Sequence, residues 1–198
     1  MITVIDYGAG NLFSLCNALK TLNTDIKVTS DPTDIIHADG VFLPGVGAFP
    51  KAMRELSRKG LDTAVKEYAA SGKPLFGICL GYQMLFDRSF EFEETVGLGL
   101  IHGDVRPLSD LLPSDAIIPQ MGWNSLIDNT GKFGGAYMYF VHSFAAVCDN
   151  ADVAAYTEYA GVNITAAAKR GNVFGTQFHP EKSGDKGLAI LENFIKLC

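Results

Sequence analysis

One cysteine set between two glycines, Gly77-Ile-Cys79-Leu-Gly81, offers the clearest chemistry in this 198-residue chain. An apolar stretch, Pro74–Ile78, runs straight into it, and Leu80–Phe86 continues with helical patterning. The thiol therefore falls at a strand-to-helix turn, the thiol counterpart of a nucleophile elbow. Such a turn strains the backbone of the nucleophile, and flanking glycines remove side-chain clashes. The helix N-terminus favours a thiolate, and the Leu80 N–H would face an oxyanion beside the sulfur. The competing reading of any cytosolic cysteine is a buried structural residue, and Cys16, Cys148 and Cys198 are read that way.

A nucleophile of this kind needs a base, and Gly175-Thr-Gln-Phe-His179-Pro-Glu181-Lys-Ser183 supplies a candidate. A histidine at a strand end with a carboxylate two residues on suits a base and its orienter: one ring nitrogen takes the thiol proton while Glu181 holds the other N–H. Pro180 stiffens the turn between them. Taken alone, the segment reads equally well as a surface turn in which Glu181 opens a helix electrostatically. His-x-Glu also occurs in zinc deaminases, but the Pro-Cys-x-x-Cys they require is absent. His37, His102 and His142 make no ligand spacing with His179. No metal and no cofactor are expected.

The elements that must position these residues alternate in the first half. Ile2–Ile5 is a β-branched run, and Asp6-Tyr-Gly-Ala-Gly-Asn11 a turn. Leu12, Leu15, Leu19 and Leu22 then recur at helical spacing behind Asn11 as N-cap. Asp25–Thr29 and Gly40–Leu43 read as strands, the second ended by Pro44-Gly45-Val46-Gly47, and Phe49–Ala70 carries helical patterning. This order implies a mostly parallel sheet with helices on both faces. Short strands near Gly99–Arg106, Ala116–Pro119, Ala136–Val141, Val153–Tyr159, Ile164–Lys169 and Val173–Gln177 suggest a mixed or antiparallel extension. A last helix, Leu188–Leu197, turns Leu188, Leu191, Phe194 and Ile195 inward. One α/β domain over residues 1–198 is expected.

Composition narrows the function classes. Hydrophobic residues make up 47% of the chain and charged ones 19%, as in ordinary globular proteins, and the formal net charge is −6. An acidic chain without a Lys/Arg cluster is poorly suited to nucleic acid or an anionic membrane. The N-terminus lacks the basic and apolar regions of a signal peptide, no apolar run is long enough to span a bilayer, and the four scattered cysteines fit free thiols in the cytoplasm.

With Cys79 and His179-Pro-Glu181 in place, the chain resembles the class I, triad-type glutamine amidotransferases over essentially its whole length. Within that family it is similar to the glutaminase subunits of imidazole glycerol phosphate synthase. The stretches that carry the likeness are Asp6–Asn11, Leu43-Pro-Gly-Val-Gly-Ala-Phe49, Gly77-Ile-Cys-Leu-Gly-Tyr-Gln83, Gly97-Leu-Gly-Leu100, Pro119-Gln-Met-Gly-Trp-Asn124, Tyr139-Phe-Val-His-Ser-Phe144 and Gly175–Ser183. The resemblance implies a flavodoxin-like fold. It makes Cys79 the nucleophile, His179 the base and later the acid, and Glu181 the orienter. Gly45, Val46 and Gly47 match the oxyanion strand that complements Leu80. Gln83, Ser143 and Phe144 match glutamine-binding positions, and Asn11, Trp123, Tyr139 and Lys182 match positions facing a partner. That partner is the cyclase subunit HisF, a (β/α)8 barrel in a heterodimer. It uses the released ammonia to form imidazole glycerol phosphate and AICAR ribonucleotide in histidine biosynthesis. Gln120 and Tyr82 stand where His and Met are frequent.

Three other readings stay open at this point. A paralogous subunit would supply ammonia for surface-sugar amidination. A cysteine hydrolase on the same fold would need no partner. A non-catalytic module would be expected to lack part of the Cys79, His179, Glu181 set.

Overall fold

The computed structural model describes residues 1–8, 11–128 and 135–198. Its strands and helices follow the chain as β1 (Ile2–Ile5), α1 (Leu12–Thr21), β2 (Ile26–Thr29), α2 (Pro32–His37), β3 (Gly40–Gly45), α3 (Phe49–Arg58), α4 (Leu61–Ala70), β4 (Leu75–Cys79) and α5 (Leu80–Met84). There follow β5 (Arg88–Ser89), β6 (Thr95–Val96), β7 (Gly103–Pro107), α6 (Leu108–Leu111), β8 (Gln120–Ile127), β9 (Tyr137–His142) and β10 (Phe144–Cys148). β11 (Val153–Tyr159), β12 (Val162–Arg170), β13 (Val173–Thr176), a 3-10 turn (Pro180–Lys182) and α7 (Gly184–Ile195) complete the order.

A nine-stranded sheet runs β2-β1-β3-β4-β13-β12-β11-β8-β9, and a four-stranded sheet runs β10-β7-β5-β6. The first five strands of the large sheet are parallel, and the last four extend it antiparallel. The expected α/β class, with its mixed extension, is therefore present. Because side chains alternate across a strand, consecutive residues feed opposite layers. Val4, Phe42 and Phe76 pack with Leu15 and Leu19 of α1 and with Ile190, Leu191 and Phe194 of α7. Ile5, Leu43 and Leu75 pack with Leu56, Leu61, Val65 and Tyr68 of α3 and α4. The ring of Phe194 meets Phe42 and Phe76 edge-on, with centroids 4.8 and 5.1 Å away. Each such buried side chain contributes about 1.5–3 kcal/mol. No described helix is long and apolar enough to cross a membrane.

Several expectations shift. The helical patterning over Phe49–Ala70 divides into α3 and α4, because Gly60 takes φ +69°, a left-handed conformation that ends a helix at little cost. Ala116–Pro119 forms no strand. The strand begins at Gln120, after Pro119, and its polar residues Gln120, Asn124 and Ser125 mask the usual alternation. Asn11 does cap α1, its side chain accepting from Ser14 N at 3.4 Å. Of the turn that precedes it, Ala9 and Gly10 lie outside the described residues.

Candidate active site

Cys79 ends β4 at φ +54° and ψ −109°, a region that non-glycine residues occupy only under constraint. The constraint comes from how closely α5 folds back on β3 and β4. A Cβ on Gly81 would sit 1.7 Å from the Leu43 carbonyl oxygen, and one on Gly77 would lie 2.8 Å from backbone atoms of Gly81 and Tyr82. The two glycines are thus needed for backbone-to-backbone contact, which is what holds the buried cysteine in its strained turn. Gly45 stands opposite Cys79 in the parallel ladder. A Cβ there would meet the Tyr7 hydroxyl at 2.5 Å and Gly81 N at 2.8 Å.

His179 follows β13, and the chain then tightens into the 3-10 turn. Its backbone N–H donates to Tyr139 O at 3.0 Å. Buried Ser183 braces the same turn: its hydroxyl donates to His179 O at 2.6 Å and accepts from Tyr139 N at 3.0 Å. The turn is therefore locked to β9, and with it the imidazole. Nδ1 of His179 lies 2.8 Å from Glu181 Oε1, with both side chains no more than 4% exposed. That leaves Nε2 for Cys79, the other hydrogen-bond partner of the ring. Burial pulls the imidazole toward neutrality. The hydrogen bonds and charges of Cys79 and Glu181 outweigh it and push the histidine up to about 9. The arrangement can transfer a proton between sulfur and imidazole while the carboxylate steadies the imidazolium.

A cavity of about 360 Å³ opens above the sulfur, within the size range of small-molecule sites. Val46, Gly47, Leu80, Gln83, Ser143 and Phe144 all line it, as do Cys79 and His179. Gly45 does not; it lies beneath, against Leu80 and Tyr7. Gln83 donates through Nε2 to Phe144 O at 3.0 Å and to Gln177 Oε1 at 2.9 Å.

Trp123 and Tyr139 are paired across β8 and β9, with ring centroids 6.1 Å apart. Lys182 Nζ lies 5.9 Å from the Tyr139 ring centre, and that ring lies 6.5 Å from His179. Trp123 is 54% exposed. Asn11 is exposed at the start of α1, a helix that touches the 3-10 turn. Tyr139 and Lys182 thus lie at the His179 turn, with Trp123 against Tyr139 and Asn11 at the start of a helix that touches the turn.

The sequence reading missed Glu91, His142, Gln120 and Gln177. Glu91 lines the cavity, accepts from Phe49 N at 2.6 Å and has its carboxyl pushed up by burial. Nothing in its short acidic turn marks it out. His142 is buried and donates from Nδ1 to Phe144 O at 2.8 Å; burial pulls it down to about 4, so it is neutral. The remaining thiols stand apart: burial raises Cys16, and raises Cys148 and Cys198 to about 11.

Residues 3–198 match the glutamine amidotransferase class-I family. The chain is 47% identical to "Imidazole glycerol phosphate synthase subunit HisH" of Listeria monocytogenes serotype 4b (strain CLIP80459), covering 100% of this chain and 98% of the relative. It is 46% identical to the subunit of the same name from Bacillus cereus (strain ATCC 14579), covering 98% of this chain and 93% of the relative. Among solved structures, one described as "Crystal structure of glutamine amidotransferase" superposes with a TM-score of 0.79 at 19% identity, covering 100% of this chain and 98% of the other. The "Structure of PurLQS from Thermotoga maritima" gives 0.71 at 22% identity, covering 98% and 97%. At those identities the structural likeness speaks to the fold.

Proposed function

The chain belongs to the class-I glutamine amidotransferase family, among the HisH subunits of imidazole glycerol phosphate synthase, and from that premise we propose how its own residues perform glutamine hydrolysis. Cys79 sulfur attacks the carboxamide carbon of glutamine. The oxyanion that forms is met by the Leu80 N–H and by a backbone N–H of the Pro44–Gly47 loop. His179, having taken the thiol proton, returns it to the leaving nitrogen, and ammonia departs from a γ-glutamyl thioester. Water activated by the same imidazole then releases glutamate and restores the thiol. Glu181 keeps the ring in the tautomer that both steps require. Glu91 gives the cavity the negative group that an α-ammonium would seek, and the Ser143–Phe144 backbone forms the facing wall.

The single observation that carries this reading is the buried Cys79–His179–Glu181 arrangement at the floor of an amino-acid-sized cavity. We further propose that Asn11, Trp123, Tyr139 and Lys182 face a cyclase partner of the (β/α)8 barrel type, HisF, in a heterodimer. Ammonia would be protonated in bulk water, so direct transfer to that partner supplies the nitrogen for imidazole glycerol phosphate and AICAR ribonucleotide. The test is a coupled assay. Weak glutaminase activity is expected for the chain alone, rising strongly with the barrel subunit and its ribonucleotide. Full activity without the partner would overturn the coupling.

A further inference from the structure

Two side chains interact with the Cys79 sulfur, and only one of them is the base. Gln177, fully buried just beyond β13, directs its side-chain amide Nε2 at Cys79 Sγ across 3.8 Å. Its backbone N–H is fixed to Ala166 O at 2.8 Å. We propose that Gln177 is a second polar support of the nucleophile, donating an N–H to the sulfur, and that a buried chain of amides set by Gln83, His142 and Gln120 dictates which end of the Gln177 amide faces it. This rests on the reading of Cys79 as the nucleophile.

The orientation follows from donor and acceptor chemistry. The Phe144 carbonyl oxygen can only accept. The Gln83 nitrogen 3.0 Å from it must therefore be the NH2 end, and the second N–H of that group meets Gln177 Oε1 at 2.9 Å. With its oxygen so engaged, Gln177 has only its NH2 end left for the sulfur. The same carbonyl fixes His142 as the Nδ1–H tautomer, since Nδ1 lies 2.8 Å from it. The bare Nε2 of His142 is then an acceptor, 2.9 Å from the Gln120 amide. Gln120 Nε2 finds no partner among the described residues as placed. Turning that amide over gives His142 its donor and Gln120 its bond. The donors and acceptors that link Gln120, His142, Phe144, Gln83 and Gln177 to one another are then all matched, which is what fixes the orientation of a buried polar network. Gln83, His142 and Gln120 act through Gln177 and are positioning residues. The ionisable groups around the sulfur are His179 and Glu181 from the 3-10 turn, Glu91 from the turn after β5, Tyr7 after β1 and His142 of β9.

A donor to sulfur favours the thiolate over the thiol, which a merely space-filling Gln177 would not do. In the complete chain, the pH–rate profile of Cys79 alkylation by iodoacetamide is compared with that of Gln177→Met, which keeps the length and loses the donor. The profile is expected to move to higher pH by up to about one unit, the scale of one modest hydrogen bond, with Cys198 in the same sample unmoved. Gln83→Met, which frees the Gln177 amide to turn, is expected to shift it the same way. A folded Gln177→Met with an unmoved profile overturns the proposal while leaving Cys79 as nucleophile. Glutamine hydrolysis surviving in Cys79→Ala overturns the reading beneath it. In the unsubstituted protein, the Gln177 side-chain amide resonance should titrate together with Cys79 alkylation and cease to do so in Cys79→Ala. A resonance indifferent to Cys79 overturns the proposal even if Gln177→Met fails to fold.

Discussion

Nδ1 of His179 and Oε1 of Glu181 stand 2.8 Å apart across a single proline, both side chains removed from solvent. The carboxylate fixes the ring and favours its protonated form. Glu181→Gln keeps the shape and removes the charge. The expected outcome is a fall in kcat for glutamine of about 10²-fold or more, the usual contribution of general acid–base catalysis, with KM little changed. Steady-state kinetics with the partner present checks this. A variant as active as the parent would remove Glu181 from the mechanism.

The two buried histidines impose opposite pH dependences on stability. His142 falls from an ordinary value of 6.5 to about 4, so its contribution is present above 6.5 and is lost as pH drops toward 4. His179 rises from 6.5 to about 9, so its contribution is full below 6.5 and is lost as pH climbs through 9. His142→Asn keeps a donor for the Phe144 carbonyl but cannot titrate. Melting temperature measured against pH should show a flatter acid limb in that variant between pH 6.5 and 4. An acid limb parallel to the parent's would contradict the assignment.

Two glycines near the sulfur serve different ends. Gly81→Ala forces a methyl to 1.7 Å from the Leu43 oxygen, so a loss of about 3 kcal/mol or more is expected from overpacking against backbone. Gly47 has open space around it but φ +101°. Gly47→Ala is expected to cost only about 1–3 kcal/mol in strain while lowering glutaminase activity disproportionately, because it lines the cavity in the loop proposed to meet the oxyanion. Denaturant midpoints and kcat on the same samples separate the two. Equal stability losses would show that the loop glycine is only a turn residue.

The chemistry was legible where it is local. Gly77-x-Cys79-x-Gly81 stands out within five residues, His179-Pro-Glu181 reads as a base and its orienter only once a nucleophile is at hand, and the α/β order follows from alternating runs. The glycines had a different role from the one expected: they admit backbone of α5 and β3 rather than merely easing the Cys79 side chain. The rest is set by tertiary contact. Gln83 meets Gln177 across 94 positions of sequence, and His142 meets Gln120 across 22. No spacing rule foretells such pairs. β8 escaped notice for a related reason: its exposed Met121 and Trp123 and its polar Gln120 and Asn124 invert the pattern of a half-buried strand. The break at Gly60 was visible as a glycine but not as a helix end, since the apolar period continues through it.

The central claim is that Cys79 alone makes the bond that frees ammonia from glutamine. The most direct measurement assembles Cys79→Ala with the cyclase partner and its ribonucleotide and supplies nitrogen either as glutamine or as ammonium. Glutamine-dependent product formation is expected to vanish while ammonium-dependent formation continues at the parent rate. Persistent turnover with glutamine in that complex would contradict the account.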